Sequence, residues 1–293
     1  MTLPPFELHR PHSVEEATDL LERYGDEAVL YCGGTELLLL MKLGFASYGH
    51  LVDVKGIEEL RTLEAQNGAL VVGAAVTHRE LERSPLVRER WPALSEMERD
   101  IANIRVRNVG TLGGNLCFSD PHSDPATFLL AAEAQLLCRR GRGSARAIPI
   151  GDFVVGPYET ALEDGELLVS VRVPALPPEA AIAHRKFSFH ERPAATVSCF
   201  ARLESGRVAE ARIAVGSVGV VPVRAREAES LLVGTFPDEP DPALLEAAGV
   251  AAGEAAGAVA DLNGSPDYKR NLVCVLVGRC FREAARRAAE NAA

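Results

Sequence analysis

The sequence lacks the short motifs by which common nucleotide-binding and hydrolytic sites are recognised. No G-x-G-x-x-G segment follows the first predicted strand, which argues against a Rossmann dinucleotide site. No G-x-x-x-x-G-K-S/T segment indicates a P-loop, and no G-x-S-x-G segment indicates a hydrolase nucleophile. The six cysteines form no C-x-x-C pair, and no His and Cys cluster has zinc-ligand spacing. We therefore expect neither a metal site nor an iron–sulfur cluster within this chain.

The chain also has no excess of basic charge and no long apolar run. Its formal net charge is −10, whereas nucleic acids and anionic membranes are bound by basic surfaces. The apolar run Leu37–Leu43 is too short to span a bilayer, and we interpret it as the start of a buried helix. The polar start of the sequence and the unpaired cysteines lead us to expect a cytoplasmic, reducing location with free thiols.

Predicted helices and strands divide the chain into three units that mix both kinds of element. Hydrophobic residues make up 47% of the 293 residues, which is enough for a sizeable core. The composition of residues 176–179 indicates a linker. The predicted units are residues 1–55, 56–175 and 176–293.

Local signals predict the ends of several elements. Capping boxes at Ser13–Glu16 and Thr77–Glu80 should each open a helix, and Asn67-Gly68 is a strong hairpin signal. The Ala/Gly-rich stretch Gly249–Ala260 is either a weak helix or a mobile loop. The predicted strands are 29–31, 51–54, 61–65, 69–73, 135–138, 145–149, 167–174, 183–188, 196–203 and 208–216. The predicted helices are 13–24, 35–44, 125–132, 225–232, 242–258 and 266–290, and a further helix is predicted to begin at residue 77.

Two Gly-Gly loops are the least ordinary features of the sequence. Cys32–Leu37 follows a predicted strand and opens a helix, and Gly110–Asn115 offers Thr111 and Asn115 as side-chain donors. Glycine lets main chain approach a ligand closely, successive N–H groups form an anion site, and a helix N-terminus adds to the attraction. Alone, each loop is better explained as a tight turn. Together, a pair of turns and a diphosphate site are equally compatible with the sequence.

Asp120 and Asp124 follow the second loop and have two interpretations. They could cap a helix that begins near Pro125. Alternatively, the carboxylate of Asp124 could accept a hydrogen bond from the ribose hydroxyl of a nucleotide. Both interpretations remain open at this point.

The two loops resemble a known family. Tyr31–Leu37 resembles the A-G-G-T-D-L loop of the FAD-binding subunits of molybdenum hydroxylases, and Ile104–Asn115 is similar to their R-N-x-G-T-x-G-G-N loop. The family includes the medium subunit of aerobic carbon monoxide dehydrogenase and the flavin domain of xanthine dehydrogenase. The similarity continues in order as far as Asp267–Arg270 and so extends over nearly the whole chain.

The resemblance implies a fold, a cofactor and partners. The fold would be α+β, with two α+β subdomains of the vanillyl-alcohol-oxidase (PCMH) type that bind FAD, plus a C-terminal α+β domain. The partners would be a large molybdopterin-binding subunit and a small 2Fe-2S subunit in a hetero-oligomer. Electrons would pass from the partner clusters through FAD to an external acceptor, which requires no catalytic residue of this chain.

The resemblance also assigns residues to FAD. Main chain of the first loop would hold the diphosphate and the second loop would do so from the other side. Asp124 would meet the ribose or adenine, and three further residues would complete the pocket. The implied FAD-binding residues are Cys32, Gly33, Gly34, Thr35, Glu36, Leu37, Ile101, Gly110, Thr111, Gly113, Gly114, Asn115, Asp124, Leu168 and Lys186.

Three positions depart from the family pattern. Cys32 replaces the usual Ala and Glu36 the usual Asp, and main-chain binding would tolerate both changes. Ala194 stands where many relatives have an aromatic residue near the flavin ring. The change at Ala194 keeps open a non-catalytic assembly or maturation protein. A stand-alone flavin oxidoreductase, which would need substrate contacts over the flavin, is another alternative.

Overall fold

The structure is a computed structural model that describes residues 2–143, 145–237 and 241–292. The strands in these ranges are β1 Glu7–His9, β2 Ala28–Tyr31, β3 His50–Asp53, β4 Leu63–Gln66, β5 Ala69–Gly73, β6 Gln135–Arg139, β7 Arg146–Pro149, β8 Val154–Gly156, β9 Glu159–Thr160, β10 Leu167–Pro174, β11 Ala180–Phe187, β12 Ala195–Glu204, β13 Arg207–Gly216 and β14 Val223–Arg224. The α-helices there are α1 Val14–Tyr24, α2 Leu37–Leu43, α3 His78–Arg83, α4 Pro85–Arg90, α5 Pro92–Arg99, α6 Ile104–Arg107, α7 Leu112–Phe118, α8 Asp124–Ala132, α9 Ile150–Phe153, α10 Arg226–Leu232, α11 Pro242–Ala255 and α12 Pro266–Ala292.

The first sheet is parallel, in the order β1-β3-β2. The helix α1 packs against β2 and β3, and its start is confirmed: the Ser13 hydroxyl accepts from the Glu16 N–H at 3.2 Å. The Glu16 carboxylate accepts from the His12 N–H instead of the Ser13 N–H, so the predicted capping box is only half formed. The end of β2 delivers the chain into the first Gly-Gly loop.

The second sheet is antiparallel, in the order β4-β5-β10-β6-β7. Its first hairpin turns at Asn67 and Gly68, which both have positive φ (48° and 71°), as such a two-residue turn requires. The capping box at Thr77 is fully formed at the start of α3. Both local predictions are confirmed.

The third sheet is antiparallel, in the order β11-β12-β13-β14, and α12 packs across β11 and β12. The Ala/Gly-rich stretch is helical as far as Ala255. Its small residues allow α11 to approach α12 closely, since a Cβ added to Gly249 would lie 2.7 Å from Cys274 Sγ. The helical alternative for this stretch is therefore correct up to that point.

The apolar run Leu37–Leu43 forms the predicted helix α2, which ends at Gly44 with φ 78°. The prediction that this helix is buried is wrong: Met41 alone is buried, and Leu39 and Leu43 are each 46% exposed. The reason is that one side of α2 borders a cavity, lined by Leu37 and Leu40, while its other side meets solvent. Among the described residues, no helix is both long and apolar enough to cross a membrane.

Candidate functional site

A cavity of about 580 Å³ lies between the two Gly-Gly loops. Its size falls within the range of about 300–1,000 Å³ that is typical of small-molecule and cofactor sites. Fourteen of the fifteen residues that the family resemblance assigned to FAD line it: Cys32, Gly33, Gly34, Thr35, Glu36, Leu37, Ile101, Gly110, Thr111, Gly113, Gly114, Asn115, Asp124 and Leu168. These residues, which were assigned to one cofactor, therefore lie around one cavity.

The two loops touch at Gly33. A Cβ added to Gly33 would lie 2.5 Å from Val109 O and 2.8 Å from Gly110 Cα, so only a hydrogen atom fits between the loops. Gly34 is required for another reason, because its φ is +70° and an added Cβ would lie 2.4 Å from the ring of Tyr31. The Gly-Gly pair thus fixes both the contact between the loops and the shape of the first turn.

The first loop offers main-chain donors to the cavity. The N–H groups from Gly34 to Leu37 donate to no atom of another described residue. Lys55 supports the loop from below, because its Nζ donates to Cys32 O at 3.3 Å and lies 3.6 Å from the centre of the Tyr31 ring. Consecutive free N–H groups in a glycine turn are suited to an anion such as a phosphate.

The second loop was expected to offer free main-chain N–H groups like those of the first loop, but most of its N–H groups are already hydrogen-bonded within the protein. The N–H groups of Leu112 and Gly113 donate to Val76 O and Ala74 O, each at 3.0 Å. Those of Gly114 and Asn115 donate to the Thr111 hydroxyl and carbonyl. The cause is local, because Thr111 caps α7 and the loop runs beside residues 74–76. This loop contributes a close-packed wall, and the Asn115 side chain, whose Oδ1 accepts from Ser123.

Asp124 is a buried carboxylate on the cavity wall. Of its two interpretations, the helix cap is wrong, since the N-cap of α8 is Ser123 and no side chain caps this helix. Its Oδ1 lies 3.3 Å from His184 Nε2, and its Oδ2 accepts from Lys186 Nζ at 2.8 Å. Burial raises the pKa of Asp124, but His184 and Lys186 outweigh this, and the pKa is lowered. The carboxylate is therefore an ionised acceptor that faces the cavity.

Lys186 is the one assigned residue outside the cavity lining. Its Nζ lies behind Asp124 and also donates to Asp100 O at 2.5 Å. Lys186 holds the Asp124 carboxylate in place, and its part in binding FAD stays a prediction. Ile101 and Leu168 are both buried and line the cavity directly.

The loop between β11 and β12 closes the cavity from the third sheet. The Arg192 guanidinium donates to both oxygens of Glu36, at 3.0 and 3.1 Å, and to Asp120. Pro193 lines the cavity, whereas Ala194 is fully buried and its N–H donates to Phe187 O at 2.8 Å. Ala194 is therefore buried just before β12, and the residues before it, Arg192 and Pro193, line the site.

Sequence reasoning missed a buried pair beneath the second loop. His78 lines the cavity, its N–H donates to Gly110 O, and its Nδ1 lies 2.7 Å from Glu98 Oε2. Both side chains are almost fully buried, and Glu98 Oε1 has no hydrogen-bond partner. Burial raises the pKa of Glu98, and His78 only partly opposes this. No sequence signal joins the pair, because the residues lie on separate helices twenty positions apart.

Replacing Glu98 by glutamine should remove a pH-dependent loss of stability. A carboxyl group whose pKa is raised by folding is harder to ionise in the folded state, so it costs stability as pH rises above its unfolded pKa of about 4.3. Glutamine keeps the shape and cannot ionise. We expect Glu98→Gln to gain free energy of unfolding relative to the parent between pH 5 and pH 8, measured by urea unfolding.

The exposed Glu89 provides the control for this prediction. The difference in free energy of unfolding between Glu89→Gln and the parent should stay the same over this pH range. If Glu98→Gln showed a constant difference at pH 5 and pH 8, Glu98 would not change its ionisation on folding and the assignment would be wrong.

Comparisons with known proteins agree with this geometry. Residues 4–176 match the family described as FAD binding domain in molybdopterin dehydrogenase, and residues 183–284 match the CO dehydrogenase flavoprotein C-terminal domain. The chain is therefore an FAD-binding oxidoreductase subunit. It belongs to the family of medium, FAD-binding subunits of molybdenum hydroxylases.

Individual relatives match three quarters of the chain or more. The carbon monoxide dehydrogenase medium chain of Hydrogenophaga pseudoflava is 35% identical over 290 residues, which span 97% of this chain and 98% of that one. A putative xanthine dehydrogenase FAD-binding subunit of Escherichia coli is 35% identical over 226 residues, 75% of this chain and 77% of that one. A solved carbon monoxide dehydrogenase from H. pseudoflava, described as lacking the Mo-pyranopterin moiety of the molybdenum cofactor, superimposes with a TM-score of 0.92. It is 35% identical and the match covers 98% of this chain and 99% of that one. The predicted α+β flavin-binding fold, FAD as cofactor and the oxidoreductase class are confirmed.

Proposed function

We propose that this chain is the electron-transfer subunit of a molybdenum hydroxylase complex, with a large molybdopterin-binding subunit and a small 2Fe-2S subunit as partners. Relatives named as medium chains of carbon monoxide dehydrogenases support the partner assignment. Bound FAD would supply the redox chemistry between the partner clusters and an external acceptor. The chain's own residues bind, orient and shield the cofactor.

Within this proposal the first loop holds the diphosphate. The observation that carries it is the row of free N–H groups from Gly34 to Leu37, in residues that line the cavity beside the contact of Gly33 with the second loop. These features fit FAD, because its diphosphate is anionic and can be bound by main-chain N–H groups. The N–H groups of Cys32 and Gly33 extend the same turn.

The other cavity residues receive roles that follow from their contacts. Asp124, ionised and held by Lys186, would accept from a ribose hydroxyl. Ile101 and Leu168 form apolar wall. The missing side chain of Gly113 lets the second loop pack against Ala74, where an added Cβ would lie 2.5 Å from the Ala74 Cβ. The remaining assigned residues Gly110, Thr111 and Asn115 shape that loop. Arg192, Glu36 and Asp120 all line the cavity, and their ion pairs join the loop before β12 to the first Gly-Gly loop.

The proposed domain organisation has a first flavin-binding subdomain at residues 1–55, a second at 56–175 and a C-terminal domain at 176–293. Its support is that the first sheet uses residues 7–53, the second 63–174 and the third 180–224. We also propose a cytoplasmic location, which is supported by the six cysteines, all of them free thiols.

The proposed function is tested with the purified chain. Reconstituted with FAD, it should give a flavin absorbance spectrum but oxidise neither carbon monoxide nor xanthine, because these steps require a molybdenum partner. In extracts of the native source it should elute with larger subunits on size-exclusion chromatography. Unaided turnover would contradict the proposal in favour of a stand-alone oxidoreductase, and failure to take up FAD would favour an assembly role.

A further inference from the structure

Three potential metal ligands meet on one face of the first sheet. In the parallel pairing of β1 with β3, Glu7 lies opposite His50, and His9 is two residues after Glu7 on the same strand. Residues opposite each other, and residues two apart on a strand, project from the same side of a sheet. The sheet therefore gathers Glu7, His9 and His50 although His50 is 41 residues from His9 in the sequence.

The ligand atoms of these side chains already lie close together. His9 Nε2 and His50 Nδ1 share a hydrogen bond of 3.0 Å, whose proton a bound ion would displace, and Glu7 Oε2 is 3.7 Å from His50 Nδ1. One ligand atom from each residue lies within 4.8 Å of the other two. Ligands bound at about 2.0–2.2 Å in a tetrahedral site are separated by little more than 3 Å, so only Glu7 has to move inward. Its side chain is 66% exposed and free to do so.

The two imidazole rings are held in place by their surroundings. The side chains of His9 and His50 are only 14% and 18% exposed. The Tyr24 ring, at the end of α1, stacks on His50 with ring centres 3.7 Å apart, and on His9 at 5.1 Å. Rings fixed in this way lose little freedom when they bind an ion, which favours binding.

We propose that Glu7, His9 and His50 form a binding site for a divalent transition-metal ion such as zinc. Two imidazoles with one carboxylate are preferred by zinc, nickel and copper over magnesium or calcium, which prefer oxygen ligands. Three protein ligands leave a position for water. The ion would join the three-residue strand β1 to β3 at its exposed end. None of the three residues lines the cavity between the Gly-Gly loops, so the site is separate from FAD binding.

Zinc chloride titrated into the full chain with FAD bound, after removal of metal by a chelator, tests the site. We expect one zinc ion to bind tightly to each chain by isothermal titration calorimetry, and the thermal unfolding midpoint to rise. The affinity for this zinc ion should fall by at least about tenfold in each of the variants His50→Gln, His9→Gln and Glu7→Gln. The matched control is His12→Gln, an exposed histidine close by on the chain, which should bind zinc as the parent does.

Zinc X-ray absorption separates this site from the six cysteines. The expected spectrum of the one-equivalent complex has nitrogen and oxygen ligands and imidazole scattering, without sulfur. Sulfur ligands, absence of tight binding to the parent, or unchanged affinity in the Glu7 and His50 variants would overturn the proposal. Because Glu7 is exposed, its variant should fold normally, which keeps the test valid if His50→Gln is unstable. Flavin content should be equal in all variants.

Discussion

Gly33→Ala should bind FAD about 5- to 150-fold more weakly than the parent, because forcing one extra carbon into a packed contact typically costs about 1–3 kcal/mol. The added Cβ would lie 2.5 Å from Val109 O and 2.8 Å from Gly110 Cα. Main chain cannot swing away as a flexible side chain can, so the two loops must separate and the cavity must change shape. The dissociation constant for FAD, measured by quenching of flavin fluorescence, gives the result directly.

The control for this variant is Gly56→Ala. An alanine there meets no atom within 4 Å and needs no positive φ, so its FAD affinity should equal that of the parent. Thermal unfolding of the apo-proteins separates lost binding from lost folding. If Gly33→Ala folded and retained parental affinity, the contact between the loops would not shape the cofactor site.

Asp124→Asn should lower the free energy of unfolding at pH 7 by about 3–5 kcal/mol, the usual cost of removing one partner from a buried ion pair. Lys186, only 14% exposed, would keep its charge without a carboxylate, and His184 would lose its charged neighbour. The double variant Asp124→Asn/Lys186→Met should regain part of the loss, because the unpaired charge is then gone. Urea unfolding measures all three proteins.

The contribution of Asp124 to the free energy of unfolding should decrease at acid pH. Its pKa is lowered in the folded state, so its stabilising contribution is complete above the unfolded pKa of about 3.9 and is lost as pH falls through the lower, folded value. The difference between parent and Asp124→Asn should therefore shrink below about pH 4. Asp152→Asn, at an exposed position, should show no such trend. A difference that persisted unchanged in acid would contradict the ionised state of Asp124.

The local features of the fold were predictable because their causes are local. The hairpin at Asn67-Gly68 depends on two residues that tolerate positive φ, and the start of α3 depends on a hydroxyl and a carboxylate three residues apart. The two Gly-Gly loops were recognisable for a similar reason, since their glycines are needed where main chain packs on main chain.

Other features depended on what the chain packs against, which the local sequence does not encode. The N–H groups of Leu112 and Gly113 are used by the neighbouring residues 74–76, so the second loop lacks the free donors that its glycines suggested. The leucines of α2 face a cavity and solvent instead of a core. His78 with Glu98, and Arg192 with Glu36, are pairs from distant parts of the sequence, and only the tertiary structure brings them together.

The most direct test of this account is a crystal structure of the chain with FAD bound. We expect diphosphate oxygens to lie about 2.7–3.2 Å from N–H groups in the stretch Gly34–Leu37, with Gly33 still packed on Gly110. A diphosphate bound elsewhere, or a first loop whose N–H groups turn away from it, would contradict the central claim that this cavity is the FAD site.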